Sequence, residues 1–249
     1  MRFRRALLLV LGAVALQLAS LYWLRLGAVP AEAPPVAQSG ASEDFYDNGS
    51  ASLPRWPFVS TNGTRLYRFG EPYRFVGANL WYGMHLGAER AAGGDRPRLL
   101  RELDRLQSLG VSNVRVLAAS EGPDRESWFA LGAPTPWRIL PSMQPSPGAY
   151  NEAVVAGLDF LLSEMAKRDM TAVLMLGNEW PWSGGFSQYV SWAGGGRIPY
   201  PPPAVGGSWD GYQQYAKEFF VRPEAQKLYA AHVRYVLQRV NSVTGVAYR

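Results

Sequence analysis

The chain has 249 residues, of which 47% are hydrophobic and 18% are charged, a composition typical of a folded domain and not of a disordered segment. It contains no cysteine, which excludes disulfides, a thiol nucleophile and a thiolate metal site. Most of the net charge of +5 comes from arginines within residues 1–25, so the near-neutral remainder argues against nucleic acid as a partner.

Residues 1–25 are predicted to be a targeting segment. Three arginines among the first five residues precede an apolar stretch from Ala6 to Leu24, which is typical of entry into the secretory pathway. The stretch is longer than the core of a cleaved signal and close to the length that spans a bilayer. We therefore predict a signal peptide or a signal anchor. The protein would be secreted, or membrane-anchored through this segment and facing the outside or a lumen.

Residues 26–56 are rich in Pro, Ala, Ser and Gly, cannot bury a core, and are predicted to form a flexible stalk before a folded domain at 57–249. The domain starts with a β-hairpin signal, because Asn62-Gly63 lies between two short apolar runs and both residues tolerate a positive φ.

Strands and helices then alternate along the chain. Strands are predicted at 73–79, 112–117 and 171–176, and the helices that follow them at 95–109, 151–168 and from Pro223 to about Val243. This alternation indicates a parallel sheet. We predict an incomplete (β/α)8 TIM barrel, with about the first three βα units after the hairpin. An open doubly wound sheet is the alternative, but the turn after the first strand is aromatic where a phosphate-binding turn needs bare backbone.

Aromatic residues are abundant, with 9 Trp and 13 Tyr, and they serve either a core or a cleft that stacks on sugar rings. Their positions favour the cleft. Trp81 and Tyr82 follow the first strand, Arg115 lies in the second, and Trp180 and Trp182 follow the third. Because the carboxyl ends of parallel strands meet at one mouth of a barrel, these side chains favour a polysaccharide ligand.

Only two histidines occur, His85 and His232, and neither lies in an HExxH or G-x-S-x-G pattern. We therefore expect no metal site, no cofactor and no Ser-His-Asp triad. His232 lies among Ala231 and Val233 in a helical pattern, which favours a structural role.

Several blocks of the sequence are similar, in the same order, to glycoside hydrolase family 5 mannanases. The blocks are Phe75–Gly87, Asn113–Val116, Pro147–Tyr150 with Gly157–Phe160, Trp180–Ala193 and Val240–Tyr248. The resemblance implies a retaining, endo-acting hydrolase whose partner is β-1,4-mannan or glucomannan. A family 5 β-glucanase or cellulase and a non-catalytic polysaccharide-binding protein are the alternatives.

The resemblance also implies roles for single residues. Arg115 matches an arginine beneath the family's nucleophile, where its charge would keep a carboxylate ionised, and a structural ion pair is the other interpretation. Trp81 or Tyr82 would line the wall of a sugar subsite and Trp180 would be a sugar platform. Trp182 is a further substrate-binding candidate. The alternative interpretation is that it packs within the long connection that follows the third strand.

The family's acid/base glutamate follows its fourth strand in an Asn-Glu-Pro motif, and its nucleophile follows the seventh. Asn178-Glu179 resembles the start of the Asn-Glu-Pro motif at a strand end. However, Trp180 stands where the motif has proline, and the strand is the third and not the fourth. Glu121 lies in a loop that the family uses structurally. We therefore expect the 249 residues to be the N-terminal part of a longer enzyme, without either catalytic glutamate and inactive alone.

Overall fold

The computed structural model describes residues 58–122 and 138–248. The predicted targeting segment at 1–25 and the predicted stalk at 26–56 lie outside these described residues. Within 58–122 and 138–248, no helix combines the length and the apolar character needed to cross a membrane.

The domain begins with three short antiparallel strands. Strand β1 (Ser60–Asn62) pairs with β2 (Arg65–Arg68), which pairs with β3 (Glu71–Pro72). Gly63, at the first turn, has a φ of 57°, in the left-handed region that glycine adopts without steric cost. The predicted hairpin is therefore present, but its turn is at Gly63 and Thr64, because Asn62 belongs to β1 and pairs with Arg65.

A second sheet holds three parallel strands, β4 (Gly77–Asn79), β5 (Asn113–Leu117) and β6 (Thr171–Met175), in that order. A helix lies in each connection, which is the arrangement expected for the first units of a barrel. Within the described residues the sheet does not close on itself. The fold is thus a partial (β/α) barrel, as predicted, and not a doubly wound sheet.

The first parallel strand is shorter than the predicted stretch of 73–79. Tyr73 still belongs to the hairpin sheet, because its backbone N–H donates to the carbonyl of Leu66 at 2.8 Å. Its hydroxyl lies 2.6 Å from the Thr171 Oγ1, at the start of β6. Residues before Gly77 therefore link the two sheets, and pairing with β5 starts only at Gly77.

Within the described residues, three helices precede the third parallel strand: α1 (Gly83–Gly87), α2 (Arg96–Ser108) and α3 (Glu152–Lys167), with a 3₁₀ turn at Arg90–Ala92. Asp95 caps α2 and Asn151 caps α3 by accepting from backbone N–H groups of the first turn, as short polar side chains at this position do. The core side chains are fully buried between helices and sheet: Leu99 and Leu103 of α2, Leu158 and Leu161 of α3, and Val114 and Val116 of β5.

The connection after β6 is long and mostly helical. It contains a 3₁₀ turn (Pro181–Ser183), α4 (Gly185–Val190), a π turn (Ser191–Gly195), α5 (Trp209–Lys217), a further 3₁₀ turn (Glu218–Val221) and α6 (Pro223–Leu237). The last helix ends at Leu237, not near Val243 as predicted. Beyond it, the Asn241 side chain accepts from the N–H groups of Val243 and Thr244 in a turn that replaces helical hydrogen bonds.

The segment after α6 is fixed to the domain by Asp159 of α3, whose side chain is fully buried. Its carboxylate accepts from Arg239 at 2.9 and 2.7 Å, from the hydroxyl of Ser242 at 2.7 Å and from that of Tyr248 at 2.7 Å. Burial acts to raise the pKa of Asp159, but these donors outweigh it and hold the pKa below its ordinary value. The carboxylate is therefore ionised and paired at neutral pH.

Replacement of this carboxylate should destabilise the domain strongly. Asp159→Ala leaves the Arg239 guanidinium without its buried partner, so we expect the free energy of unfolding to fall by about 3–5 kcal/mol. Urea denaturation followed by circular dichroism measures the change. The control is Asp104→Ala, which removes an ion pair to Arg168 from a carboxylate that is 63% exposed, and it should cost less than about 1 kcal/mol. Equal losses in the two variants would contradict the role of Asp159.

Candidate functional site

Arg115 lies on the face of the parallel sheet that the helices do not cover. In β5 it is the one exposed residue between buried neighbours, and it pairs in register with Asn79 of β4 and Val173 of β6. Its guanidinium donates to the Oδ1 of Asn79 at 3.2 Å and to the Sδ of Met175. Among the described residues it forms no salt bridge, so neutral groups on both neighbouring strands hold this exposed positive charge in place.

Two predicted aromatic residues from different strand ends meet in the structure. The rings of Trp81, after β4, and Trp182, after β6, have centroids 4.9 Å apart and planes inclined by 58°. Trp81 keeps 37% of its surface exposed. Its carbonyl accepts from the N–H of Leu117 at 3.3 Å, which ties its backbone to the end of β5. The carboxyl ends of all three strands therefore contribute to one aromatic surface.

Tyr82 lies in the same turn but is engaged by the outer layer. Its hydroxyl donates to the Oε2 of Glu102 on α2 at 2.8 Å, and the Arg98 guanidinium lies over its ring, 5.5 Å from the centroid. Burial and the neighbouring Glu102 raise the pKa of Tyr82. Of the two candidates for the subsite wall, Trp81 thus contacts the indole of Trp182, and Tyr82 binds the helix behind it.

Trp180 is more exposed, at 54%, and forms a second aromatic pair with Trp209, the first residue of α5. The two ring centroids are 5.7 Å apart and the planes are inclined by 74°. The Tyr212 hydroxyl donates to the carbonyl of Glu179 at 2.6 Å and so holds α5 against the segment that carries Trp180. Sequence reasoning missed Trp209, since no spacing pattern relates it to a strand end.

The connections that follow β5 and β6 are joined at Glu121, whose side chain is completely buried. Its Oε2 accepts from the backbone N–H of Gly185 at 2.8 Å and its Oε1 from the hydroxyl of Tyr189 at 3.1 Å. Burial raises the pKa of Glu121 to about 7, although these two donors and the guanidinium of Arg138 oppose the rise. A carboxyl without exposed surface cannot reach a substrate, so Glu121 is not a candidate acid or nucleophile.

This junction requires both glycines of the sequence Trp182-Ser183-Gly184-Gly185. A Cβ on Gly184, which has a φ of 92°, would lie 2.0 Å from the carbonyl oxygen of Glu121. A Cβ on Gly185, with a φ of 63°, would lie 1.9 Å from the carbonyl oxygen of Asn178. Both positions therefore require glycine for its conformation and for its lack of a side chain.

Both histidines are tied to the backbone of the scaffold. His232 is fully buried, with Nε2 lying 3.1 Å from the carbonyl oxygen of Ala118 and Nδ1 3.3 Å from the Tyr150 hydroxyl. His85 lies with its Nε2 3.0 Å from the carbonyl oxygen of Pro141. Burial lowers the pKa of each to about 4, so both are neutral at pH 7, and His232 joins α6 to the end of β5. In the described ranges no three His, Asp or Glu side chains are grouped to hold a metal ion.

Comparison with protein families finds a match, over residues 56–249, to the family described as GH family 5 beta-mannosidase-like. Among curated relatives, the putative mannan endo-1,4-beta-mannosidase 9 of Oryza sativa subsp. japonica is 32% identical over 201 residues, 80% of this chain and 41% of the relative. Mannan endo-1,4-beta-mannosidase 5 of Solanum lycopersicum is 31% identical over 192 residues, 77% of this chain and 39% of the relative. The chain thus spans about two fifths of the length of these relatives.

Solved structures give the same picture. A glycoside hydrolase family 5 mannosidase from Rhizomucor miehei superposes with a TM-score of 0.68 at 45% identity, over 77% of this chain and 45% of that one. An endo-1,4-beta-mannanase from the same organism superposes with a TM-score of 0.54 at 22% identity, over 77% of this chain and 44% of that one. The second likeness concerns the fold alone.

The junction at Glu121 can be tested through its glycines. Gly184→Ala should lower the free energy of unfolding by about 3 kcal/mol or more, because the new methyl group overlaps a backbone carbonyl in a conformation that already disfavours a side chain. Gly194→Ala is the matched control, since its φ of 83° is similar and nothing lies within 4 Å of the position that its Cβ would take. We expect a loss of only about 1 kcal/mol there. Similar denaturation midpoints for the two variants would show that the close approach at Gly184 is not tight.

Proposed function

This chain belongs to glycoside hydrolase family 5, in its β-mannosidase-like group, and from that membership we propose that it serves the retaining hydrolysis of β-1,4-linked mannan or glucomannan. The observation that carries the proposal is the contact between Trp81 and Trp182 across two strand ends. Indole faces suit the C–H face of a pyranose ring, and the exposed Arg115 lies on the adjoining sheet face. The predicted targeting segment would deliver this activity to the outside or to a lumen.

Retention of configuration needs two carboxyl groups about 5–5.5 Å apart, one as acid/base and one as nucleophile. We place neither on the two glutamates that follow parallel strands. Glu121 is buried, and Glu179, although exposed, follows the third parallel strand and is followed by Trp180 where the family's motif has proline. We therefore propose that both catalytic glutamates lie outside the described residues and that Arg115 faces the nucleophile, where its charge would lower that carboxyl's pKa.

A second candidate, an exo-acting β-mannosidase, is favoured by the pattern of similarity. The mannosidase from Rhizomucor miehei is 45% identical, and a variant of it was solved in complex with mannosyl-fructose, a small ligand. The endo-mannanase of the same organism is only 22% identical. If this group relationship extends to specificity, the site would take the end of a chain and release single mannose units.

The activity and its mode can be measured on two proteins, the 249-residue chain and the product of its reading frame extended past Arg249. We expect the extended product to release reducing sugar from mannan and the shorter chain to release none, because the two catalytic carboxylates are proposed to lie elsewhere. Chromatography of the early products separates the modes: a mixture of oligosaccharides indicates endo action and mannose alone indicates exo action. An extended product with no activity on mannan or on manno-oligosaccharides would sink the proposal.

Sugar binding should depend on the predicted indoles. Trp81→Ala and Trp182→Ala are expected to weaken the binding of mannohexaose roughly tenfold or more, as the loss of about 1.5 kcal/mol of ring stacking implies. Trp180→Ala tests the second aromatic pair in the same way. Titration calorimetry gives the dissociation constants, and Phe58→Ala, which removes an exposed ring beside the hairpin, is the control that should bind like the wild type. Unchanged affinity in all three tryptophan variants would remove the aromatic surface from the site.

A further inference from the structure

The segment that carries Trp182 receives its support from the connection after β5. Three successive carbonyl groups accept hydrogen bonds from that connection: Pro181 from Arg138 at 3.3 Å, Trp182 from the N–H of Ile139 at 2.9 Å, and Ser183 from the N–H of Glu121 at 2.8 Å. The Glu121 carboxyl then holds the next turn through Gly185 and Tyr189. The Glu121 backbone N–H thus holds Ser183, and its carboxyl holds Gly185 in the turn that follows Trp182.

With the Gln144 amide oriented so that its Oε1 faces Tyr189, the hydrogen bonds around Glu121 accommodate one more proton than an ionised carboxylate supplies. The hydroxyl of Tyr189 lies 3.1 Å from the Oε1 of Glu121 and 3.2 Å from the Oε1 of Gln144. A tyrosine hydroxyl has a single hydrogen and can donate to only one of the two oxygens. If Glu121 is protonated, its own hydrogen goes to Tyr189 and the tyrosine hydrogen goes to Gln144, so that every contact holds a hydrogen.

We propose that Glu121 is a positioning residue for the sugar-binding surface, and that the proton shared along Glu121, Tyr189 and Gln144 holds the Trp180–Trp182 segment in its binding arrangement. The inference rests on the proposed function for the identity of the ligand, a β-linked manno-oligosaccharide. Glu121 does not touch the sugar; it acts through the backbone of the segment that does.

Within residues 58–122 and 138–248, the groups that face this carboxyl leave its titration distinct. Among them Arg138 is the charged neighbour, and its guanidinium donates to the backbone carbonyls of Glu121 and Pro181. The titratable neighbours from the other packed elements are phenols whose pKa is raised by burial: Tyr150 before α3, Tyr189 on α4, Tyr212 on α5 and Tyr229 on α6. Burial raises the pKa of Glu121 to about 7, far below those of the phenols. Near neutral pH, Glu121 is thus the group of this cluster that changes charge.

A pKa raised from the ordinary 4.5 to about 7 means that protons bind more tightly to the folded arrangement than to a free carboxyl, so the stabilisation is complete below about pH 4.5 and is lost as the pH rises to about 7. If sugar binding requires this proton, affinity for mannotetraose should fall on the order of tenfold between about pH 6 and about pH 8. The indole N–H resonances of Trp180 and Trp182, observed by NMR on the full chain without sugar, should shift with a midpoint near pH 7.

Glu121→Gln is the decisive variant because glutamine imitates the protonated acid. Its carbonyl oxygen accepts from Gly185, its amide donates to Tyr189, and no proton is exchanged. We expect it to bind mannotetraose at pH 8 with the affinity that the wild type has at pH 6, and its indole resonances should not titrate. Tyr189→Phe removes a donor to the carboxylate and should move the wild-type midpoint upward.

Glu164→Gln is the matched control. Glu164 is a buried acid of α3 that pairs with Lys167 and Arg168 at the opposite end of the sheet, so this variant should titrate and bind as the wild type does. Indole resonances that titrate in Glu121→Gln as in the wild type, or a wild type without a transition near pH 7, would overturn the positioning role. A third outcome separates the two proposals: the indole resonances titrate as expected, but the protein binds no mannotetraose. This outcome would support the role of Glu121 and refute the proposed function.

Discussion

The candidate site depends on one buried carboxyl between two connections that are far apart in sequence. Glu121 follows β5, and its partners Gly185 and Tyr189 follow β6. A buried polar group that loses its hydrogen-bond partners costs more than the bond itself contributes, so both connections are constrained to meet where this carboxyl is satisfied. The close contact of Gly184 with the Glu121 backbone makes the same demand in steric terms. These two constraints fix the backbone around Trp182 in the position that places its indole beside Trp81.

The two faces of the parallel sheet have different physical tasks. The face toward α2 and α3 is apolar, fully buried at β5 and partly buried at β4 and β6, and it contributes to the stability of the domain. The opposite face carries the exposed row of Asn79, Arg115 and Val173, and it is free for ligand chemistry. Because successive residues of a strand point to opposite faces, one strand supplies both core and site. Val114 and Val116 lie in the core, and Arg115 between them reaches the open face.

Much of the fold was readable from sequence, because it follows from periodicity and turn chemistry. The hairpin that turns at Gly63, the caps of α2 and α3 and the three parallel strands follow from local rules, although the turn lies one residue later than Asn62-Gly63. The start of β4 was predicted too early, since the hydrogen bond from Tyr73 to Leu66 joins distant residues and leaves no periodic signal. The end of α6 was predicted too late for a similar reason: the buried carboxylate of Asp159 fixes Arg239 and Ser242 in a turn.

The site was predictable only in outline. Strand order places Trp81, Arg115 and Trp182 at neighbouring strand ends, and the structure brings the two indoles into contact. The orientation of Tyr82 was not predictable, because its hydrogen bond to Glu102 depends on how α2 packs. The contact of Trp209 with Trp180 and the burial of Glu121 likewise depend on the path of the long connection after β6.

The outer strand of the parallel sheet has a consequence for handling the protein. Within the described residues β6 hydrogen-bonds only to β5, so its other flank offers unpaired backbone groups. A cleft of about 290 Å³ runs beside it, lined by apolar groups such as Phe58, Leu162 and Leu174. An uncovered strand flank next to an apolar surface is a template for pairing with a foreign strand. Solubility at high concentration should therefore be governed by whatever polypeptide lies against this flank.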